Sequence, residues 1–197
     1  DEVHRGENGD GMGNELPAVD LGDGRSAVSI AAGEAHTCAL LDDATVKCWG
    51  NGNMGQLGQD DSDDIGDGPG EMGGALPAIS LGAERTAVGI TAGRDHSCAL
   101  LDDGSVKCWG ENQSAQLGQG NRRVYGRDRF NTMEDIDPIN LGEGRTARLV
   151  SAGSGHTCAL LDDWTSKCWG AVGAAGHGTI ASLRMGSRAG DEADEMA

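Results

Sequence analysis

One sequence pattern occurs three times in this chain, at a constant interval of sixty residues. An eight-residue stretch, His-[Thr/Ser]-Cys-Ala-Leu-Leu-Asp-Asp, begins at His36, His96 and His156. Each copy is followed by Lys-Cys-Trp-Gly, beginning at Lys47, Lys107 and Lys167. A fixed period of this length is typical of stacked structural modules, so we predict one array of three units. It also weighs against an enzyme, because a catalytic site usually brings unlike groups together at one point.

Composition and charge exclude several classes of partner. The 197 residues include 34 glycines but only one Phe and one Tyr, and the formal net charge is −17. Such a charge would be repelled by nucleic acid phosphates and by anionic membrane surfaces. No apolar run approaches the roughly 18 residues needed to cross a bilayer. The chain begins at Asp1 without a signal-like segment, so we expect either a removed targeting peptide or a trimmed piece.

The cysteines form three C-x9-C pairs, and the turn between them sets their spacing. In the second unit, Asp102-Asp103-Gly104 predicts a three-residue hairpin loop with Gly104 in the left-handed region. Leu101 then lies opposite Ser105, and Cys98 lies opposite Cys108 at a Cα separation of about 4.5 Å. Disulfides accept this separation. We therefore predict three hairpin disulfides, which join Cys38 to Cys48, Cys98 to Cys108 and Cys158 to Cys168.

Three disulfides would place the protein in an oxidising compartment. Two alternatives remain open at this point, namely buried free thiols or a zinc site formed by His36, Cys38 and Cys48 and their counterparts. The zinc site lacks a fourth ligand and the usual C-x2–4-C spacing. An acidic loop also suggests a calcium site, although its residues depart from the EF-hand pattern. We expect no metal and no cofactor. The loop carboxylates are Asp61, Asp63, Asp64, Asp67 and Glu71.

Each unit contains four short strand candidates, at residues 16–21, 27–32, 37–41 and 45–49 in the first. The hairpin is apolar on both faces, so it must lie between neighbouring units, as in a propeller blade. The predicted boundaries are an N-terminal Gly-rich segment (1–15), blade 1 (16–59), an acidic loop (60–75), blade 2 (76–118), an Arg-rich insert (119–135), a degenerate blade 3 (136–178) and a C-terminal tail (179–197).

The repeated motifs resemble a known family. Ala-Gly-x-x-His-[Thr/Ser]-Cys-Ala-Leu, Asp-Gly-Ser-Val-Lys-Cys-Trp-Gly, and Gln-Leu-Gly at residues 56–58 and 116–118 are similar to the regulator-of-chromosome-condensation repeat. The paired cysteines resemble a subgroup in algal and bacterial exported proteins. The resemblance implies four-stranded blades, usually seven in a ring. Three units, the last with Arg148 and His177 at apolar positions, predict an all-β partial propeller, an open arc with Gly-rich loops.

Three further motifs have competing interpretations. Residues 50–55 match G-x-G-x-x-G, but no helix is predicted after them, so we interpret them as a turn between blades. The repeated histidines could be ligands or bases, and their recurrence favours an anchor for the turn backbone. The acidic run at residues 191–197 is typical of a disordered tail unless a larger assembly orders it. The candidate partner contacts are the basic aromatic residues Arg122, Arg123, Tyr125, Arg127, Arg129 and Phe130 and the hairpin-tip Trp164.

The sequence therefore predicts a non-catalytic scaffold, a peripheral accessory subunit of a larger protein assembly in an oxidising compartment. The resemblance makes the lumen side of an algal photosystem, in the thylakoid, the most specific hypothesis. A secreted adhesion or ligand-binding module in the extracellular space is the alternative. The best-known family activity, guanine-nucleotide exchange on a small GTPase, is disfavoured because an oxidising compartment lacks that partner.

Overall fold

In the computed structural model, residues 12–171 are described, and they form three antiparallel sheets of three strands each. Residues 1–11 and 172–197, which include His177 and the acidic tail, lie outside the described residues. Two short 3-10 turns, Gly13–Glu15 and Met133–Asp135, flank the sheets. The strands are β1 (Ala27–Ala32), β2 (His36–Leu41), β3 (Val46–Gly50), β4 (Ala87–Ala92), β5 (His96–Leu101), β6 (Val106–Gly110), β7 (Ala147–Ala152), β8 (His156–Leu161) and β9 (Ser166–Gly170).

The second and third strands of each unit form the hairpin that the cysteine spacing predicts. The Leu101 amide donates to the Ser105 carbonyl at 2.9 Å, and Gly104 closes the loop with φ at +82°. Cys98 lies opposite Cys108 in the β5–β6 register, with the Cα atoms 4.0 Å apart. The described residues contain three disulfides and no free cysteine. They join Cys38 to Cys48, Cys98 to Cys108 and Cys158 to Cys168.

Two of the three hairpin loops hold a side chain in the left-handed conformation that Gly104 adopts. Ala44 has φ at 64° and Trp164 has φ at 71°. Left-handed backbone costs a residue with a Cβ roughly 1–2 kcal/mol, whereas glycine adopts it freely but loses more entropy on folding. We expect Ala44→Gly to raise the free energy of unfolding by about 0.5–1 kcal/mol, measured by urea denaturation. A less stable Ala44→Gly protein would contradict this, and Gly104→Ala should be destabilising.

The prediction of a fourth strand in each unit is corrected by the structure. Residues 76–81 form no strand, and one hydrogen bond joins the Ile79 amide to the Val46 carbonyl of β3 at 2.8 Å. Ile139 makes the equivalent bond to Val106 of β6 at 3.0 Å. Each segment therefore borders the outer strand of the preceding unit. Proline at 77 and 138 removes a backbone donor, which prevents a continuous ladder.

The three units stack in order to form an open arc. We name the side of each sheet that faces the preceding unit its leading side, and the side that faces the following unit its trailing side. Ser97 and Trp109 lie on the leading side of unit 2, whereas His36 and Cys38 lie on the trailing side of unit 1. The core occupies the spaces between these sides and continues through all three units. The stacking explains why the hairpins are apolar on both faces.

Candidate functional site

A hydrogen-bond relay joins unit 1 to unit 2. His36 Nε2 lies 2.9 Å from the Ser97 hydroxyl, and that hydroxyl lies 3.0 Å from the main-chain carbonyl of Gln56. The Trp109 indole N–H donates to the same carbonyl at 3.0 Å. All four residues are buried, and none of them is more than 3% exposed. The relay therefore fixes how the two sheets are placed against each other.

The relay recurs between unit 2 and unit 3. His96 Nε2 lies 3.0 Å from the Thr157 hydroxyl, which donates to the Gln116 carbonyl at 2.8 Å. The Trp169 indole donates to that carbonyl at 2.9 Å. The sequence interpretation of these histidines as anchors for their own turns is corrected for His36 and His96, because each ring bonds to the next unit through Nε2 and its Nδ1 has no partner. The sequence signal for this contact was the Ser or Thr that follows the histidine in all three repeats.

The relay makes Nε2 of both histidines a hydrogen-bond donor, and burial keeps the rings neutral. The hydroxyl of Ser97 has one proton, which is donated to the Gln56 carbonyl, so the hydroxyl must accept from His36 Nε2–H. Nδ1 is buried and has no partner in His36 or His96, so a second proton there would be unpaired, which disfavours the charged ring. Burial lowers the pKa of His36 to about 4 and that of His96 to about 3. For His96, the neighbouring histidines lower the pKa further.

Glycine is required beside each ring. A Cβ at Gly33 would lie 2.2 Å from Cε1 of His36, and a Cβ at Gly93 would lie 2.1 Å from Cε1 of His96. Real Cβ contacts are never this short, so the Ala-Gly-x-x-His motif provides the space for the ring. This close approach accounts for the recurrence of the motif in each unit.

The His–Ser pair has the composition of a base and a nucleophile, but its geometry opposes that role. His36 Nε2 donates to Ser97, so it cannot take a proton from the same hydroxyl. Ser97 is also fully buried, and the neighbouring sulfur of Cys38 is held in a disulfide. The disulfide also rules out the zinc alternative, because a disulfide sulfur offers no thiolate to bind the metal. Among residues 12–171, no group of three or more His, Cys, Asp or Glu could hold a metal.

The G-x-G-x-x-G motif forms a turn, and the acidic loop that follows it in the sequence packs against that turn. The Gly52 amide donates to Asp64 Oδ1 at 2.9 Å, and a Cβ at Gly52 would lie 2.0 Å from the Asp63 carbonyl. Glu71 Oε2 accepts the amides of Gly66 and Gly68, which lowers its pKa. Two amides of the motif thus already donate to the acidic loop, that of Gly50 to the Ile65 carbonyl and that of Gly52 to Asp64.

The Arg-rich insert is exposed on one side and packed on the other. Phe130 is 75% exposed and lies beneath the Arg129 guanidinium, 5.2 Å from its ring centroid. Tyr125 differs from the prediction, because its side chain is buried in the core and its backbone bridges to Gly110. Tyr125 is therefore part of the hydrophobic core and is no longer a candidate for partner contact. The exposed basic members of the insert are Arg122, Arg123, Arg127 and Arg129.

Asp60 ties the insert to unit 1. Its carboxylate accepts the Met133 amide at 2.7 Å, and its own amide donates to the Gly126 carbonyl at 3.0 Å. Burial is the main cause that raises the pKa of Asp60. The insert is therefore held by main-chain contacts, which leaves its arginine side chains available to solvent.

Trp164 is a second exposed aromatic residue. It lies at the tip of the third hairpin, is 71% exposed, and has the Arg148 guanidinium 4.8 Å from its ring centroid. Arg148 also donates twice to the Asp162 carbonyl, at 3.1 Å. The position that is apolar in units 1 and 2 thus holds a cation that stacks on the tip Trp.

Comparisons with known proteins agree with this architecture. The "Regulator of chromosome condensation (RCC1) repeat" matches residues 27–56 and 87–116 in one profile and residues 103–160 in another. The ultraviolet-B receptor UVR8 of Arabidopsis thaliana is 31% identical over 84% of this chain, which spans 33% of the receptor. The guanine nucleotide exchange factor SRM1 of Saccharomyces cerevisiae is 32% identical over 76% of this chain and 29% of its own length.

Solved structures show the same fold. Human WBSCR16 superposes with a TM-score of 0.64 over 83% of this chain and 38% of that protein, at 19% identity. Prp20p of Saccharomyces cerevisiae superposes with a TM-score of 0.55 over 75% of this chain and 31% of its own, at 27% identity. The chain spans about a third of these relatives. With its matching repeats, relay and stacked sheets, the chain belongs to the regulator-of-chromosome-condensation repeat family.

Proposed function

We propose that the protein is a non-catalytic scaffold, and that it acts as a peripheral accessory subunit of a larger protein assembly. The observation that carries this proposal is the division of the molecule into a rigid interior and an exposed insert. Disulfides and buried relays stabilise the sheets, whereas Phe130 and four arginines are presented outward. Arginine and aromatic side chains are enriched among residues that dominate binding at interfaces. Among residues 12–171, no helix is both long and apolar enough to cross a membrane.

The compartment proposed is an oxidising one. Three disulfides support it, because cytosolic thiols are normally kept reduced. Within that class, the lumen side of an algal photosystem in the thylakoid is the most specific form of the proposal. Its support is the resemblance of the paired cysteines to exported repeats.

The insert should act as a local contact without contributing much to stability. We expect replacement of Arg122, Arg127 and Arg129 by Gln to release the protein from its native assembly. The thermal midpoint should change by less than about 2 °C, since exposed substitutions usually cost under 0.5 kcal/mol. Co-migration in native gel electrophoresis of the source membranes measures release. Arg145→Gln, a change at an exposed arginine outside the insert, is the matched control.

Retention of the triple variant in the assembly would show that the insert is not the anchor. A protein that migrates alone, with no partner in any fraction, would instead favour a secreted adhesion or ligand-binding module. Nucleotide exchange is a second candidate because the relative SRM1 is named for that activity. A nucleotide-release assay with a small GTPase tests it directly, and acceleration of release would replace the scaffold proposal.

A further inference from the structure

Lys107 is a buried cation whose side chain has no close polar contact. The residue is 5% exposed. Within the described part of the chain, its ammonium makes no hydrogen bond and no ion pair within 4.0 Å. Burial lowers the pKa of Lys107, although the surrounding carboxylates of Glu134, Asp137 and Asp60 act in the opposite direction. A buried ammonium without acceptors is unfavourable, because it has lost its hydration and no protein oxygen replaces the water.

The equivalent lysine in unit 1 shows which acceptors this position takes. Lys47 Nζ donates to the main-chain carbonyl of Leu21 at 2.9 Å and to that of Gly73 at 2.8 Å. Gly73 is left-handed, with φ at 71°, whereas Met133 at the same place in unit 2 begins a 3-10 turn. The segment that brings a carbonyl to the ammonium in unit 1 therefore has another backbone conformation in unit 2. Lys107 keeps the donor but lacks these acceptors.

Lys107 lines a pocket that is large enough to hold more than a water molecule. The pocket has a volume of about 220 Å³, and one water molecule in the liquid occupies about 30 Å³. Its apolar lining includes Leu81, Ile136 and Pro138. Ligand sites typically combine an apolar lining with a small number of polar groups that fix the orientation of the ligand. The apolar wall suits an aliphatic side chain, and the ammonium requires oxygen acceptors.

The charges around the pocket favour a neutral acceptor over an anion. Arg85 and Asp103, which both line the pocket, pair with each other at 3.3 Å, so their charges largely cancel. Glu134 also lines the pocket. With the other two carboxylates near Lys107, it outnumbers the one ammonium. An anionic ligand would be repelled by these carboxylates, whereas a main-chain carbonyl carries only a partial negative charge.

We propose that this pocket binds a peptide segment of a protein partner, which supplies main-chain carbonyl oxygens to Lys107 and an aliphatic side chain to the apolar wall. The argument is that the same lysine position binds two main-chain carbonyls within unit 1, while unit 2 retains the buried donor without them. The exposed arginines of the insert take no part in this site. The proposal therefore goes beyond the function proposed above, and either can fail without the other.

The test uses two small probes that differ in charge. N-acetyl-L-leucinamide has two amide carbonyls and an aliphatic side chain, whereas N-acetyl-L-leucine has a carboxylate in place of the terminal amide. We expect the full chain to bind the amide with a Kd on the order of 1–10 mM, and the carboxylate at least about threefold more weakly. Two-dimensional NMR at neutral pH measures both affinities, and the backbone amide signals of Leu81 and Ile136 should shift.

The same substitution at two equivalent lysines provides the matched comparison. Lys107→Met removes the ammonium, so binding of the amide probe should fall at least about tenfold. Its thermal midpoint should rise by about 2–4 °C, because a buried charge without acceptors is removed. Lys47→Met deletes an ammonium that two carbonyls depend on. It should leave probe binding unchanged within about twofold and lower the thermal midpoint.

Three results would overturn the proposal. Tighter binding of N-acetyl-L-leucine than of the amide would make the pocket an anion site. Amide binding that Lys107→Met does not weaken would place the contact elsewhere. No binding of either probe by the wild-type chain, up to the solubility limit, would mean that the pocket holds water alone. If Lys107→Met does not fold with three disulfides, Lys107→Gln removes the charge in its place and should show the same loss of binding.

Discussion

Trp109→Ala should lower the free energy of unfolding by about 3–5 kcal/mol. The indole is fully buried between units 1 and 2, packs against Gly58, and donates to the Gln56 carbonyl. Its removal leaves a cavity at the interface and deletes one donor of the relay. Because domains of this size are stable by only about 5–15 kcal/mol, the loss should be visible in equilibrium denaturation by urea.

The control for this change is Trp164→Ala, which removes the same side chain from an exposed hairpin tip. It should cost no more than about 1 kcal/mol, the usual size of a stacked contact between a guanidinium and an indole. In an array of repeats, the Trp109 change should also separate the unfolding of unit 1 from that of units 2 and 3. Equal effects of the two substitutions would mean that the relay contributes little to stability.

Acidification should destabilise the protein well before most of its carboxylates are protonated. The pKa of His36 falls from 6.5 to about 4 on folding, and that of His96 falls to about 3. The folded state therefore protonates these rings only at a lower pH than the unfolded state does. The stabilising contribution is complete above pH 6.5 and is lost as the pH falls toward 4. Between these two pKa values, each histidine lowers the free energy of unfolding by about 1.4 kcal/mol for every unit by which the pH falls.

Denaturation curves at intervals between pH 7.5 and 4.5 measure this slope. His96→Gln is the matched control, because its amide can still donate to Thr157 but does not titrate. We expect the slope of stability against pH to decrease by about half in this variant. A wild-type protein whose stability is constant between pH 7 and 5 would show that the rings are not held neutral in the folded state.

The sequence contained the information for the three hairpins. The nine residues between paired cysteines, together with Gly104 at the turn, sufficed to predict the β5–β6 register and the Cys98–Cys108 pair. The prediction succeeded because a hairpin is determined by neighbours along the chain. The family also followed from recurring motifs. Among the candidate contact residues, Phe130 and Trp164 are exposed, whereas the burial of Tyr125 depends on tertiary packing that the sequence does not show.

Only the tertiary structure decided which residues that lie far apart in the chain come into contact. The sequence could not show that His36 donates to Ser97, or that residues 76–81 border β3 instead of adding a strand to their own unit. Repetition by itself determined that units stack, because each hairpin is apolar on both faces. The direction of stacking depends on side chains that meet only when the sheets are assembled.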